Sequence, residues 1–323
     1  MKKNFILELL YNNSNKWLSG ELISKELQVS RAAIWKYINT LRKAGYNIEA
    51  SSKKGYKLIS SSNFFNEFEI LKNLDTKIFG KKNIYIFQET DSTNIQAFNL
   101  ASSGIEEGSI VIAESQTSGK GRLGRNWVSP FGKNLYLSII LRPKILTHHA
   151  PRLTLVTVVA LSETLDDFKI FNHRIKWPND IYINEKKLSG ILTEMKGDCD
   201  TIDFIIIGVG VNLNSSFSDY PDTIRDSIIS LKEFTNTEIN RIEFLQLFLK
   251  NFERNYFNFV QRGFDEILNK WKEKSSIINQ KIKVIEHENV FTGIVIEVTS
   301  DGNLIVQTDK ETITVNSGDI NYI

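Results

Sequence analysis

An α+β chain in successive parts is the fold class this sequence predicts. Three observations carry it: a basic, helix-rich first sixty residues ending in a hairpin signal, a long middle where strand and helix signals alternate, and a terminal run of short strands with Asp-Gly and Ser-Gly turns. At 323 residues the chain has room for two or three domains. Its 41% hydrophobic and 24% charged residues argue against collagen-like, coiled-coil and wholly disordered classes. No apolar run is long enough to span a bilayer, and Glu8 interrupts the first apolar stretch too early for a signal-peptide core, so a cytoplasmic protein is expected. One cysteine, Cys199, permits no intramolecular disulfide, and four scattered histidines have no zinc-site spacing.

The charge is uneven. Residues 1–60 hold 11 Lys and Arg against 4 Glu, a net +7, whereas the remainder is net −5. Lys and Arg neutralise phosphates, so this asymmetry suggests a nucleic-acid module attached to a different body. Three helices are predicted over Phe5–Tyr11, Ser19–Leu27 and Ser30–Ala44, with Ser19 and Ser30 as N-caps and Ile34, Ile38 and Leu41 on one face. The connection Gln28-Val29 leaves room only for a sharp turn, which makes the second and third helices a helix-turn-helix. Strands at 46–50 and 56–59 around Ser51-Ser52-Lys53-Lys54-Gly55 then read as a wing. Arg31, Lys36, Asn39 and Arg42 on the third helix, left polar and free, with Ser30 at its start and Lys53 and Lys54 on the wing, are the candidate DNA contacts. The competing reading is a winged helix used for protein contacts with merely solvated charges. A linker at 60–66 separates this module from the rest.

From 67 to about 275, strand signals at 84–87, 109–113, 134–141, 181–183 and 204–209 and helical periodicity at 94–102, 151–168 and 239–256 predict an α/β body with a buried sheet. Three of its loops hold more chemistry than a core needs. Gln88–Asn94 joins a strand to a helix, where Ser92, Thr93 and Asn94 can cap the helix or bind a ligand. Gln116–Trp127 spells Gly-x-Gly-x-x-Gly at Gly119, Gly121 and Gly124. A dinucleotide fingerprint requires a helix to start there, and Pro130 and Gly132 deny one. What remains is a glycine-rich loop with Lys120, Arg122, Arg125 and Trp127, suited to an anion plus an apolar or stacking face, or else a plain solvated loop. The third, Lys176-Trp177-Pro178-Asn179-Asp180, precedes Lys187. Asp180 either caps the turn, orients a lysine or holds a metal, and Lys187 either points into a cleft or lies on the surface. The glycines of Gly208-Val209-Gly210-Val211-Asn212 permit close approach of a ligand.

These loops in this order, Ser-Thr-Asn, Gly-x-Gly-Arg-x-Gly and Lys-Trp-Pro-Asn-Asp followed by Lys-Leu-x-Gly-Ile, together with the winged helix, resemble the bifunctional biotin protein ligases that double as biotin operon repressors. The likeness covers nearly the whole chain. It implies a winged helix-turn-helix DNA-binding domain at 1–65, a mixed-sheet ligase domain at 66–275 and an SH3-like β-barrel at 276–323, built from the strand signals at 282–284, 291–298, 301–306 and 313–315.

By position, the resemblance implies that Ser92, Thr93, Asn94 and Gln116 frame the ureido end of biotin. Lys120, Gly121 and Arg122 would lie in the loop that closes over biotin and nucleotide, and Lys187 would reach the carboxylate or phosphate. Arg122 and Lys187 are then the catalytic pair, and Trp127, Asn212 and Arg225 join Arg122 on the nucleotide side. The family's commoner loop has arginine where this chain has Lys120, which keeps the charge without the planar fork. ATP with Mg²⁺ is the implied cofactor and biotin the substrate. No protein metal ligands are identified beyond Asp180 as a candidate. The implied partners are a biotin carboxyl carrier protein, operator DNA and a second copy in the adenylate-bound form, with no membrane. Two competing readings are a lipoate-type acyl ligase and a ligand-sensing regulator without transferase activity.

Overall fold

The computed structural model describes residues 2–13, 15–43, 45–60, 64–198, 200–286 and 289–323. Cys199, Ala44 at the end of the predicted third helix and residues 61–63 of the predicted linker lie outside the described residues. The chain divides into two compact units, residues 1–69 and 70–323, with the division inside a short helix, α4 (Glu67–Lys72).

The first unit is built from α1 (Lys2–Asn12), α2 (Gly20–Leu27), α3 (Arg31–Lys43) and the antiparallel pair β1 (Asn47–Ser51) and β2 (Gly55–Ser60). Ser19 caps α2 through its hydroxyl, which accepts from Leu22 N at 3.1 Å, and Ser30 does the same for Ala33 N at 3.2 Å. The turn between α2 and α3 works because Gln28 takes a left-handed conformation, φ 51°, ending α2 at once. Ile6, Leu10, Ile23, Ile34, Ile38, Leu41 and Leu58 close one small core. Gly55 has φ +97°, and a Cβ there would stand 2.0 Å from the carbonyl oxygen of Leu18, so the wing meets the α2 entry only because this residue is glycine. The sequence left Arg42 free, but the structure does not. Its guanidinium donates to the carbonyl of Ile48 at 2.9 and 2.6 Å, bracing α3 against β1.

The second unit holds a seven-stranded sheet, ordered β3 (Ile84–Phe87), β4 (Ile110–Ala113), β5 (Leu135–Leu141), β9 (Ile202–Val211), β8 (Lys186–Gly197), β7 (Asp180–Ile183) and β6 (His173–Lys176). Only β3 and β4 run parallel. The interior strand β5 is buried at every residue, matching an apolar run that only Ser138 interrupts. On one face α5 (Thr93–Ser102) packs Ala97 and Ala101 onto Val111, Ile140 and Ile206. Two long helices, α6 (Arg152–Asp167) and α9 (Arg241–Arg262), pack on each other. Two further short helices, α7 (Asp222–Arg225) and α8 (Leu231–Thr235), lie between β9 and α9 in the chain.

Helix α9 runs six residues beyond its predicted end and is followed by α10 (Asp265–Ser275), which the sequence reading did not anticipate. Its polar sequence offers only Ile267, Leu268 and Trp271 to the core. The last residues form an antiparallel five-stranded sheet, β13 (Thr312–Val315), β12 (Leu304–Gln307), β11 (Asn289–Val298), β10 (Lys281–Glu286) and β14 (Asp319–Tyr322), in that order. Among the described residues β13 and β14 do not pair, so the ladder is open where a closed barrel was expected.

A buried ion pair ties α9 to the sheet. Glu114, just past β4 and fully buried, faces Arg241 in the first turn of α9 at 2.8 Å, and Arg241 also donates to the carbonyl of Asn134 at 3.1 Å. Removing one partner of a buried pair leaves the other charge uncompensated. Arg241→Met is therefore expected to destabilise the second unit by about 3–5 kcal/mol, read as a lowered urea midpoint. A midpoint within error of the parent would show that the pair is not structural.

Candidate functional site

Register on the sheet sets the site. Across the strands, Tyr136 of β5 lies opposite Gly210 of β9, which lies opposite Gly190 of β8, which lies opposite Asp180 of β7. The next row is Ser138, Gly208 and Leu192. Three glycines thus strip side chains from one stretch of sheet. A Cβ on Gly208 would stand 2.2 Å from Asn94 Oδ1, and one on Gly210 would stand 2.5 Å from the Trp127 indole. Over this bare floor opens a cavity of about 510 Å³.

Of the residues singled out from sequence, Ser92, Thr93, Asn94, Gln116, Lys120, Gly121, Arg122, Trp127, Asp180, Lys187 and Asn212 all line this cavity. Arg225 is not among its lining. Its guanidinium is held by Asp222 three residues earlier, at 2.6 Å, and by the carbonyl of Tyr220, at 3.1 Å. The lining contributed near it comes instead from Tyr220, Ile224, Ser227 and Ile228.

One end of the cavity is a polar network. Gln116 Oε1 accepts from the backbone and hydroxyl of Thr93 at 2.8 and 3.2 Å, while its amide nitrogen donates to Ser129 at 3.0 Å. Ser138 links Thr93 to Asn94, and the Asn94 amide donates to Glu194 at 2.7 Å. Asn94 is therefore oriented by protein on both sides of its amide. Ser92 occupies the N-cap position of α5, yet its side chain makes no capping bond, and the buried residue borders the cavity instead.

The other end is cationic. Lys187 Nζ pairs with Asp180 Oδ2 at 2.6 Å and lies 5.7 Å from the centre of the Trp127 ring. Asp180 Oδ1 and Trp127 Nε1 are buried without a hydrogen-bond partner among the described residues. Arg122 donates to Asn179 Oδ1 and to the carbonyl of Gly318, both at 3.0 Å, with Asp319 at 3.8 Å. Burial pulls the Arg122 guanidinium below its ordinary value, against Asp319 and Asp180, which raise it. Burial likewise depresses Lys176, with Asp180 opposing and Lys187 reinforcing the shift. The glycine-rich loop forms no dinucleotide-binding helix. It closes on itself as a hairpin, with Gly121 N donating to Arg125 O at 2.7 Å and Trp127 N to Gly119 O at 2.8 Å.

Sequence reasoning missed the C-terminal contribution. Ile285, Asp319, Ile320 and Asn321 border the cavity, and Asp319 also pairs with Arg125. No signal near 319 pointed there, because β14 is four residues long and follows a turn with no unusual chemistry. Lys176, Asn179 and Tyr182, which flank the Trp-Pro-Asn-Asp turn, also line it.

A sheet floor of glycines, a polar pocket at one end and half-buried cations at the other suit an elongated molecule with an acidic end. Comparison gives the class: residues 86–212 match the Biotin/lipoate A/B protein ligase family, residues 2–57 an HTH domain and residues 277–321 the Biotin protein ligase C terminal domain. The chain is 36% identical over 315 residues to the bifunctional ligase/repressor BirA of Bacillus subtilis, covering 98% of this chain and 97% of that one. It is 31% identical to the bifunctional ligase/repressor BirA of Escherichia coli, over 94% of this chain and 92% of that one. Biotin protein ligase from Aquifex aeolicus in complex with biotin and ATP is structurally similar, with a TM-score of 0.65 and 31% identity over 75% of this chain and 99% of that one. The chain belongs to the family of bifunctional biotin protein ligases and repressors.

Gly210→Ala is expected to press a methyl against the Trp127 indole and destabilise the second unit by about 1–3 kcal/mol, the usual cost of overpacking. A urea midpoint checks this, and one within error of the parent would mean that the indole does not rest on bare backbone there.

Proposed function

We propose that the chain activates biotin with ATP to biotinyl-5'-AMP, transfers biotin to a lysine of a biotin carboxyl carrier protein, and represses a biotin operator through its N-terminal unit. The observation that carries the reading is the joint placement of a polar pocket and of half-buried Arg122 and Lys187 over the glycine floor. Biotin would insert its ureido end among Ser92, Thr93, Asn94 and Gln116 and direct its carboxylate toward Lys187. The nucleotide would lie along Trp127, Asn212 and the segment around Ile224, and Arg225, paired with Asp222, would act only through that segment.

In the first step a carboxylate oxygen attacks the α-phosphorus of ATP, and the bond to pyrophosphate breaks. Both reactants are anions, so cations between them must lower the barrier. Arg122 suits this because its hydrogen bonds go to an amide oxygen and a backbone carbonyl, while the Asp319 carboxylate that offsets its charge stands 3.8 Å away and is shared with Arg125. Asp180 holds Lys187 in place. Among the described residues no cluster of His, Cys, Asp and Glu could hold a metal. Mg²⁺ would come with the triphosphate and would stabilise charge moving to pyrophosphate, and Asp180 Oδ1, buried without a hydrogen-bond partner among the described residues, is the candidate protein oxygen to meet it. In the second step the carrier lysine attacks the acyl carbon, releasing AMP and a proton. The hairpin loop carrying Arg122 would shield the anhydride from water.

The proposal includes the three domains at 1–65, 66–275 and 276–323, an SH3-like relation for the last, a cytoplasmic location and a homodimer of the adenylate-bound form that reads a two-fold operator. Among the described residues no helix is long and apolar enough to cross a membrane. Lys36 and Asn39 on α3 and Lys53 and Lys54 on the wing would supply DNA contacts, with Arg31 shared with Glu21 and Arg42 committed to Ile48.

ATP–pyrophosphate exchange tests the enzyme reading. Exchange is expected with biotin and not with lipoate, and Arg122→Ala should lower it about 100-fold or more, as removal of a transition-state donor does. Arg125→Ala, more exposed and paired with Asp319, should cost under about tenfold. Equal losses would refute the loop assignment, and exchange with lipoate would refute the substrate. Footprinting on the operator should show protection only with biotin and ATP, and ligand-independent protection would remove ligand control.

A further inference from the structure

Helix α3 carries an apolar side chain that the fold does not use. Trp35 is 58% exposed, the most exposed of the large hydrophobic residues described in the first unit. The core of that unit is closed by Ile34, Ile38 and Leu41 from a face roughly 90° round the helix, and Trp35 is not among the partly buried hydrophobic residues packed against it. By helical spacing Trp35 shares a row with Arg31 and Asn39 and adjoins the row of Ala32, Lys36 and Lys43. It is the fifth residue of the helix, in the N-terminal half that a helix-turn-helix presents to base edges. A planar apolar surface in the middle of a cationic face, on a segment of net +7, fits a polyanion with apolar groups between its phosphates.

We propose that Trp35 is a sequence-reading residue whose indole contacts thymine methyl groups in the major groove of duplex DNA, while Lys36 and Lys43 flank it toward phosphate. In the major groove the C5-methyl is the apolar mark that separates thymine from the other bases. Phosphate contacts position a protein without reading sequence, so direct reading falls to side chains that reach base edges, and an exposed indole on this face offers the apolar kind of contact. The inference rests on the DNA-binding reading above and goes beyond it in naming the reader and the group that is read.

The test uses the full chain with biotin and ATP and a duplex selected by it from a random-sequence library. Thymidine is replaced by deoxyuridine position by position, which removes only the methyl. For the unaltered chain at least one position should lower affinity about fourfold, the transfer value of one methyl. In Trp35→Ala, affinity for the selected duplex should fall by at least that factor and the deoxyuridine effect should vanish, while affinity for random duplex changes far less. Should circular dichroism show the alanine variant unfolded, Trp35→Gln gives the same readout. Methyl sensitivity that persists in the variant, or that is absent from the unaltered chain, overturns the proposal and leaves DNA binding intact. Failure of the unaltered chain to enrich any duplex overturns the DNA-binding reading itself.

Discussion

The site depends on bare backbone. A β-sheet face normally carries a side chain at every second residue, and here Gly190, Gly208 and Gly210 remove them over adjoining strands. The indole of Trp127 and the amide of Asn94 descend onto main chain, closer than any Cβ would allow. This contact decides where α5 starts relative to the sheet and where the glycine-rich loop returns. Through the loop it also decides where Arg122 reaches. Lose the floor, and the polar pocket and the cationic end no longer share one cavity.

How the charges are held matters as much as where they are. A buried cation paired with a carboxylate is locally neutral. One held by neutral oxygens keeps its field in a medium that screens poorly. Arg122 stands between the two, with Asn179 and the Gly318 carbonyl as hydrogen-bond partners and with Asp319, shared with Arg125, as an ion-pair partner at 3.8 Å. Lys187 is of the first kind, and its pairing with Asp180 trades field strength for position. Lys176, depressed by burial, adds a cation whose carboxylate counterweight it shares with Lys187. The combination suits chemistry that brings anions together.

Two buried carboxylates outside the site explain much of the scaffold. Glu253 on α9 accepts from the backbone N–H groups of Lys77, Ile78 and Phe79 at 2.6, 2.8 and 3.1 Å, satisfying donors that no strand could pair. Glu114 faces Arg241 at the first residue of the same helix, whose middle carries Glu253. Arg142 gathers the carbonyls of Ala101 and Ile105 at the C-terminal end of α5. The helices are thus pinned by polar contacts at their ends and by apolar packing between, and the sheet they cover stays in register.

Local chemistry determined what could be read from the chain alone. Apolar periodicity placed most helices and strands, Ser19 and Ser30 marked helix starts, and Pro130 and Gly132 denied a helix after the glycine-rich loop. The three loops were legible because glycine, amide and cationic residues are crowded there beyond what turns require. Tertiary structure alone decided which of these groups face one another. The polar sequence of α10 and the four residues of β14 carry too little periodicity to announce themselves, so the strand that brings Asp319 and the Gly318 carbonyl to Arg122 went unseen. Arg42 and Arg225 look the same as Arg122 in sequence. Whether a guanidinium serves a site or a backbone carbonyl is settled by distances between residues far apart in the chain, which local propensity does not encode.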